Sequence, residues 1–516
     1  MFTENKIIYR LPIALISILG ASLIFLLTNS FGIGLSPDSV YYISVARHLT
    51  DGKGFIGYDG YNYLLQPPLY PVLLALIKII FSADPLISVV YLNSFLFGLI
   101  IYLAGMLLLK HLKSFPLTLA GTAVILTSFV FIQNFIIALS EPFFILCIII
   151  YLKYLDLYLD KGDIKSLVLF SVAVSLACLT RYVGVIIILA GSISILSLSR
   201  VYFKERMRHI IIFVLIAVLP AGVWALRNFL LSGTFAGQRA ASSYTLSDNI
   251  SLLFNTVLNW FFSIKISGLQ LVILIILIAA GILTGITLIY LKRKDELKLF
   301  KTSPLILFII LYSGIIVISS STTAYDKIAD RLLSPVYVPL ILTISLFIDK
   351  AQKWLSRYLN RRLLSGIIYT AIVAWMQYPT MNSYYKIKNY AEQSGWEYSS
   401  KEWKDNPVIS YLNKKKDFET GYLFYSNVPE AVYILANKSA KWSPAKTYYN
   451  SPQMVRSDSR GRIIKDSKDS KDKVCLIWFN NSSRNFLFSI NELRESINMV
   501  KIAQLQDGAI YTLWKK

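Results

Sequence analysis

Residues 86–109, LISVVYLNSFLFGLIIYLAGMLLL, form a mostly apolar run without a single charged side chain. A helix of about 20 such residues crosses the hydrocarbon core of a bilayer, so this run predicts a membrane-spanning helix. The whole chain continues the pattern, because hydrophobic residues make up 55% of its 516 residues and charged residues only 16%. Soluble domains carry roughly 25% charged residues. The composition therefore predicts a polytopic, mainly α-helical membrane protein rather than several soluble domains.

Hydropathy predicts about eleven membrane spans. The first, Leu11–Thr28, follows Lys6 and Arg10, and it lacks a small-residue cleavage site, which favours a retained span over a signal peptide. A shorter apolar run from Pro67 to Phe81 contains a lysine and predicts a helix at the membrane surface or packed against the bundle. The remaining predicted spans are Leu117–Phe135, Pro142–Leu157, Leu167–Leu179, Val183–Leu198, His209–Leu226, Leu269–Leu291, Pro304–Ser319, Leu332–Ile348 and Leu363–Tyr378.

Basic residues cluster in alternate loops, at Arg200–Arg208, Lys292–Lys301 and Lys350–Arg362. The positive-inside rule places such loops in the cytoplasm. We therefore predict a multi-pass protein of the cytoplasmic (inner) membrane, with its N-terminus inside. The basic residues between the hydrophobic stretches lie in these loops, whereas a nucleic-acid-binding face would gather them on one soluble domain. Membrane lipids are therefore expected partners and nucleic acid is not.

The sequence becomes mixed and charged after Pro379. We predict a membrane domain at 1–379, with a first external loop at about 29–85, and a small extracytoplasmic α/β domain at 380–516. That domain could be a binding module, or it could serve stabilisation or partner contact. Its predicted elements are strands at Gly421–Ser426 and Val474–Phe479, a helix at Pro429–Ala436 capped by Asp417 or Asn427, and a mobile loop at Lys465–Lys473.

Two acidic residues, Asp38 and Glu141, fall at the predicted external boundary of the membrane, where an unpaired charge is costly. Helix capping would explain each of them, because Ser36, Asp38 and Ser140 precede plausible helix starts. Glu141 also precedes a proline, which favours the first turn of a helix. The alternative is that both carboxylates belong to a functional site.

Three arginines, Arg181, Arg227 and Arg331, lie at span ends on the same predicted side. Snorkelling to the interface would explain any one of them. Three guanidinium groups beside two acids instead indicate phosphate recognition. A lipid-linked phosphate donor fits such a set. A carboxylate would take the proton of an acceptor hydroxyl, and arginine would stabilise the departing phosphate.

Eight short motifs follow one another through the membrane part of the sequence. In chain order they are Asp38–Tyr42, Ala46–Leu49, Gly52–Phe55, Gln66–Pro71, Ser140–Pro142, Leu179–Tyr182, Trp224–Asn228 and Arg331–Pro335. Taken together, these motifs resemble the integral-membrane glycosyltransferases of the GT-C class. They are most similar to the family 39-type branch that holds the protein O-mannosyltransferases and the lipid A aminoarabinose transferases. The resemblance implies a GT-C-like helix bundle and a polyprenyl-phosphate sugar donor on the external face.

The resemblance also implies roles for single residues. Asp38 matches the catalytic base, and Glu141 matches a second acid that contacts a metal, positions the acceptor or supports the base. Ser39 follows Asp38 where the class often has a second acid, which puts a directly bound metal in doubt. We therefore assign no metal ligands and leave a divalent cation open as a cofactor. The substrate-binding residues that we expect are Arg331, Arg181, Arg227, Tyr41 and Gln66.

The expected activity is that of an inverting glycosyltransferase. It would move a hexosyl or pentosyl group from a polyprenyl-phosphate donor to a hydroxyl of a lipid, glycan or protein acceptor. A transporter or flippase for lipid-linked sugars is one alternative, but the ionisable residues gather at the outer boundary and not at mid-membrane. A non-catalytic membrane scaffold is the other alternative.

Overall fold

The computed structural model describes residues 6–262, 303–415, 418, 421–448, 451–455, 459–469, 473–482 and 484–514. Six of the described helices are long and apolar enough to cross a membrane, or seven if a bent pair counts as one span. The helices of the membrane part are α1 (Lys6–Phe31), α2 (Pro37–Thr50), α3 (Leu69–Phe81), α4 (Pro85–His111), α5 (Phe115–Thr127), α6 (Phe129–Ile132), α7 (Glu141–Lys161), α8 (Ile164–Thr180), α9 (Val185–Leu198), α10 (Phe203–Ser232), α11 (Leu246–Phe261), α12 (Ser303–Thr322), α13 (Asp330–Leu355) and α14 (Arg361–Glu392).

The predicted mainly α-helical fold is confirmed, and the predicted number of spans is roughly consistent with it. The span expected at Leu269–Leu291 lies outside the described residues. Each of the other predicted spans falls on a helix, although α8 and α9 are short for a full crossing. The apolar run after Pro68 forms helix α3, as expected.

The span predicted at Leu117–Phe135 is broken, because α5 and α6 meet at an angle of 54°. Ser383 of α14 satisfies the backbone at the break. Its Oγ donates to the carbonyl of Thr127 at 2.6 Å and accepts from the amide of Phe129 at 2.7 Å. Asn93 of α4 then donates to two carbonyls of the irregular segment 133–140. Unpaired backbone groups are costly at membrane depth, so these side chains permit the irregular path that leads to α7.

The first external loop of the prediction contains helix α2. Ser36 caps this helix: its Oγ accepts from the amide of Ser39 at 3.3 Å, and the Ser39 hydroxyl accepts from the Ser36 amide at 3.0 Å. This reciprocal pair is a capping box. The Asp38 carboxylate is therefore not needed as a cap and can point elsewhere.

Helix α14 continues through residue 380 to Glu392, and the globular C-terminal part begins after it. A five-stranded sheet with the order β2-β1-β5-β7-β6 forms its centre, with β2, β1 and β5 parallel and the last two strands antiparallel. Its elements are α15 (Lys401–Lys404), α16 (Pro407–Lys414), β1 (Tyr422–Ser426), α17 (Pro429–Ala436), β2 (Ala440–Trp442), β3 (Thr447–Tyr448), β4 (Ser451–Val455), α18 (Ser459–Asp469), β5 (Lys473–Phe479), α19 (Ile490–Ser496), β6 (Asn498–Leu505) and β7 (Gly508–Trp514).

The predicted strands and short helix of this part correspond to β1, β5 and α17, but the predicted cap is wrong. The N-cap of α17 is Val428, which makes no side-chain capping bond. Asn427 instead bonds both backbone groups of Phe479, at 2.8 and 2.9 Å, and so ties the ends of two parallel strands together. Asp417 lies outside the described residues.

The mobile loop predicted at Lys465–Lys473 is wrong for residues 465–469, which form the end of α18. Ile463 anchors this helix because its side chain is completely buried. The Asp466 carboxylate accepts hydrogen bonds from Tyr425 at 2.6 Å and Lys441 at 2.7 Å. Long-range contacts therefore order a run that looks like low-complexity sequence.

The C-terminal part packs directly on the α2 region. One hydrophobic cluster contains Ile33 and Val40 from the α2 region together with Val428 and Val432 from the C-terminal part. A bidentate ion pair between Arg47 and Asp84, with both N–O distances at 2.9 Å, fixes α2 to the start of α4 beneath this contact. The two parts therefore pack into one hydrophobic core and are not merely joined by a linker.

We predict that Ser383→Ala destabilises the protein, because the mutation leaves the carbonyl of Thr127 and the amide of Phe129 without their partner. Each buried unpaired group costs about 1–3 kcal/mol. The expected result is a lower midpoint of thermal unfolding for the purified protein in detergent. Thr380→Ala, which changes an exposed position of the same helix, is the control. Equal unfolding midpoints for the two variants would contradict the role given to Ser383.

Candidate active site

The Glu141 carboxylate lies at the centre of a cluster of charged side chains at one end of the bundle. Its side chain is completely buried, and its Oε1 accepts from Arg181 Nη1 at 2.5 Å and from Arg331 Nε at 2.7 Å. A buried carboxylate is stable only when it is paired and hydrogen-bonded. Glu141 is thus part of an ion-pair network and not merely the first residue of α7.

Arg331 connects this buried acid to Asp38. Its Nη2 donates to Asp38 Oδ2 at 2.5 Å, while its Nε binds Glu141. Asp326 lies 3.7 Å from its third nitrogen. The Asp38 side chain is 34% exposed, so this carboxylate, unlike that of Glu141, can meet a ligand. One guanidinium therefore bridges two acids that lie far apart in the sequence.

Helix ends place these residues. Asp38 lies in the first turn of α2, Glu141 begins α7, and Arg331 is the second residue of α13, while Arg181 directly follows α8. The N-terminus of a helix carries a partial positive charge and unpaired amides. Three N-termini therefore meet at this cluster, and they favour carboxylates and any phosphate that enters.

Gln66 reaches the cluster from the segment that follows α2. Its Nε2 donates to Asp38 Oδ1 at 3.4 Å. The three residues before Gln66 are fixed through their backbone carbonyls. The donors are Arg227 to Tyr63 at 2.8 Å, Tyr182 to Leu64 at 3.1 Å and Arg239 to Leu65 at 2.8 Å.

Arg227, a predicted substrate-binding residue, makes none of its described contacts with the Asp38–Arg331–Glu141 cluster. Its guanidinium lies over the rings of Trp224, at 4.5 Å, and Phe55, at 5.5 Å. It therefore acts on the cluster through the backbone before Gln66. Tyr182, which does the same, was visible in the sequence only as the neighbour of Arg181, and nothing in the sequence pointed to Arg239.

Tyr41 lies in an aromatic wall beside the cluster. Its ring stacks on Tyr63 at 5.7 Å and meets Tyr58 edge-on at 5.4 Å. Burial raises the pKa of the Tyr41 hydroxyl, and the nearby Asp59 carboxylate raises it further. Burial also raises the pKa of Asp59 to about 6. The structure thus places Tyr41 near Asp38 along α2, with its hydroxyl turned to Asp59.

Several buried polar atoms near the cluster have no hydrogen-bond partner among the described residues. They are Glu141 Oε2, Gln66 Oε1 and Tyr70 Oη. The Tyr70 ring packs against Tyr42, whose hydroxyl lies 3.4 Å from Ser140 Oγ. Buried polar groups are nearly always paired in folded proteins. Three unpaired polar atoms are therefore gathered around one cluster of charged side chains.

The two acids do not fit a shared divalent cation in this arrangement. The Arg331 guanidinium lies between Asp38 and Glu141, where a bridging metal ion would have to bind. Among the residues that the structure describes, no group of three or more His, Cys, Asp or Glu side chains is placed to hold a metal ion. The positive charge of the site comes from arginine.

The sequence profile of the dolichyl-phosphate-mannose-protein mannosyltransferase family matches residues 65–224, a range that contains Gln66, Glu141 and Arg181 but neither Asp38 nor Arg331. No curated protein matches the sequence.

Solved structures match over nearly the whole chain. The apo structure of ArnT from Cupriavidus metallidurans aligns with a TM-score of 0.61 at 12% identity, over 96% of this chain and 97% of that one. The same protein bound to undecaprenyl phosphate aligns with a TM-score of 0.60. AglB from Archaeoglobus fulgidus, an archaeal oligosaccharyltransferase in complex with an inhibitory peptide and a dolichol-phosphate, has a TM-score of 0.54 at 12% identity, over 93% and 70% of the two chains.

The chain therefore has the GT-C glycosyltransferase fold, and the resemblance drawn from its motifs is confirmed. The charged cluster lies on the same side of this fold as the C-terminal part, because residue 35 pairs with residue 397.

We predict that Glu141→Gln strongly destabilises the fold, because two largely buried guanidinium groups would lose their shared carboxylate. Removing one partner of a buried ion pair costs about 3–5 kcal/mol. The double variant Glu141→Gln/Arg181→Gln should regain part of this loss in a thermal unfolding assay. Glu205→Gln, at an exposed carboxylate whose two pairs are long, at 3.7 and 3.8 Å, is the matched control and should change stability by about 1 kcal/mol or less. An effect of Glu141→Gln as small as that of the control would contradict the network.

Proposed function

We propose that this protein is an inverting glycosyltransferase that uses a polyprenyl-phosphate sugar. It transfers the sugar to a hydroxyl of a lipid, glycan or protein acceptor at the outer face of the cytoplasmic membrane. The observation that carries the proposal is the network of Asp38, Arg331, Glu141 and Arg181, gathered at one end of a GT-C bundle. ArnT bound to undecaprenyl phosphate and AglB bound to a dolichol-phosphate support the choice of donor.

The donor phosphate would bind where the three helix N-termini and the two arginines meet. Arg331 uses Nε for Glu141 and Nη2 for Asp38, and a guanidinium has five N–H donors in total. A phosphate carries more negative charge than a carboxylate and accepts bidentate bonds from arginine. It can therefore draw the guanidinium away from Asp38 while Glu141 keeps its own bond.

Asp38 is the general base in this mechanism. The acceptor oxygen bonds to the anomeric carbon while the bond from that carbon to the phosphate oxygen breaks. The acceptor proton passes to Asp38, and the electron pair leaves with polyprenyl phosphate. A single displacement of this kind inverts the anomeric centre. Loss of the Arg331 bond when the donor binds frees Asp38 Oδ2 to take the acceptor proton.

Glu141 supports the base and does not contact the acceptor, because its side chain has no exposed surface. It fixes Arg181 and Arg331 in the orientation that receives the phosphate. Gln66 orients Asp38 through the 3.4 Å hydrogen bond, and the carbonyl contacts of Arg227, Tyr182 and Arg239 fix the segment before it. Tyr41 and its neighbours form an aromatic wall suited to a sugar face.

We predict that Asp38→Asn abolishes transfer while the protein still folds. Loss of a general base lowers the rate by about 100- to 10,000-fold. The measurement is the release of polyprenyl phosphate from a panel of undecaprenyl-phosphate sugars, with an envelope extract as the acceptor source. Asp51→Asn, a change at an exposed acid at the end of the same helix, is the control and should keep full activity.

Two outcomes would count against the proposal in different ways. A fully active Asp38→Asn variant would overturn the assignment of the base alone. Failure of the wild-type protein to consume any of the donors would overturn the activity itself. A lipid-flipping assay would then separate a transporter from a non-catalytic scaffold.

A further inference from the structure

The segment Trp396–Tyr398, which leads from α14 into the C-terminal part, pairs with the backbone just before α2. The amide of Leu35 donates to the carbonyl of Trp396 at 3.2 Å, and the amide of Tyr398 donates to the carbonyl of Leu35 at 3.2 Å. Glu397 therefore stands opposite Leu35, three residues before Asp38. No feature of the sequence indicated this contact.

The turn that leads into Glu397 has an unusual backbone conformation that its surroundings hold in place. Glu397 itself has φ +50°, in the left-handed region that side chains other than glycine rarely adopt. Gly395 has φ +132°, and a Cβ at this position would lie 2.6 Å from atoms of Ser399. Ser399 Oγ bonds the backbone of Trp396 through both its amide and its carbonyl, each at 3.0 Å. Strained residues held by their surroundings concentrate at functional sites.

The residue after Glu397 is anchored in the C-terminal part. The side chain of Tyr398 is buried, and its hydroxyl accepts from Arg484 Nη2 at 2.8 Å. Arg484 in turn pairs with the buried Glu430 at 3.2 Å. The backbone pairing with Leu35 thus fixes Glu397 on one side, and the buried pair of Arg484 and Glu430 fixes it on the other.

The Glu397 side chain is accessible to solvent. Its carboxylate lies near enough to Arg331, Asp38 and Asp326 to interact with them electrostatically, and the Trp396 side chain lies beside it. A phosphate entering beside it would be repelled, whereas a hydroxyl group would be attracted as a hydrogen-bond donor. The position therefore suits the acceptor and not the donor phosphate.

We propose that Glu397 is a third carboxylate of the active site, supplied by the segment that enters the C-terminal part, and that it accepts a hydrogen bond from a hydroxyl of the acceptor. The inference rests on the proposed glycosyl transfer and extends it to the binding of the acceptor. It also gives the C-terminal part a function, since that part holds Glu397 opposite Leu35, three residues before Asp38.

A pH dependence follows from the surroundings of this carboxylate. Desolvation by the surrounding protein raises the pKa of Glu397 to about 7, and the charges of Asp38 and Asp326 add to the rise. The Trp396 side chain and the charge of Arg331 oppose it. Glu397 is therefore ionised above about pH 7 and protonated below it. A protonated carboxyl is a poorer acceptor of hydrogen bonds, so binding of the acceptor should weaken as the pH falls through this value.

The test compares Glu397→Gln with the wild type, with Glu397→Asp as the conservative variant and Glu392→Gln, at an exposed residue near the end of α14, as the control. Each protein is assayed with an undecaprenyl-phosphate sugar and graded amounts of envelope extract, between about pH 5.5 and 8.5. Slow hydrolysis of the donor without extract is measured in parallel, because water then replaces the acceptor.

We expect Glu397→Gln to raise the half-saturating amount of extract about tenfold, the range for a lost hydrogen bond to a charged group. Donor saturation should not weaken, donor hydrolysis should not slow, the unfolding midpoint should not change, and the acid limb near pH 7 should disappear. Glu397→Asp should recover part of the loss. Unchanged extract saturation and an unchanged pH profile would overturn the role of Glu397 alone, whereas a wild type that consumes no donor would overturn the proposed function and this role with it.

Discussion

A carboxylate that is completely buried at the boundary of a membrane must be neutralised, and this requirement organises the functional end of the molecule. Glu141 begins α7, and the two arginines that neutralise it come from the end of α8 and the start of α13. The ion pairs therefore draw three helices together at one point. Because a buried charge without its partner is so costly, each of these helix ends has little freedom to move independently.

Arg331 links the buried Glu141 carboxylate to Asp38, the proposed base. The same guanidinium that binds Glu141 also binds Asp38, whose side chain is partly exposed. The two bonds have different consequences: the one to Glu141 fixes the arginine, and the one to Asp38 can be exchanged for a ligand. In the proposed mechanism, arrival of a phosphate releases Asp38, which couples occupancy of the donor site to the availability of the base.

The helices of the membrane part and the residues of the charged cluster were largely predictable from residue types and their places in the hydropathy profile. Apolar runs predicted the helices, and charges at the ends of spans pointed to Asp38, Glu141, Arg181 and Arg331. The pairing among them was not predictable, since it joins residues far apart in the chain. For the same reason the bond from Arg227 to the Tyr63 carbonyl was not predictable, and neither was the backbone pairing that sets Glu397 opposite Leu35.

The most direct measurement is the affinity of the purified protein for undecaprenyl phosphate, compared between the wild type and Asp38→Asn in nanodiscs. If the phosphate must compete with Asp38 for Arg331, removing the charge of Asp38 should tighten binding, by about tenfold for each 1.4 kcal/mol of lost competition. Asp51→Asn should bind as the wild type does. Equal or weaker binding by Asp38→Asn would contradict the exchange of Arg331 between the base and the donor.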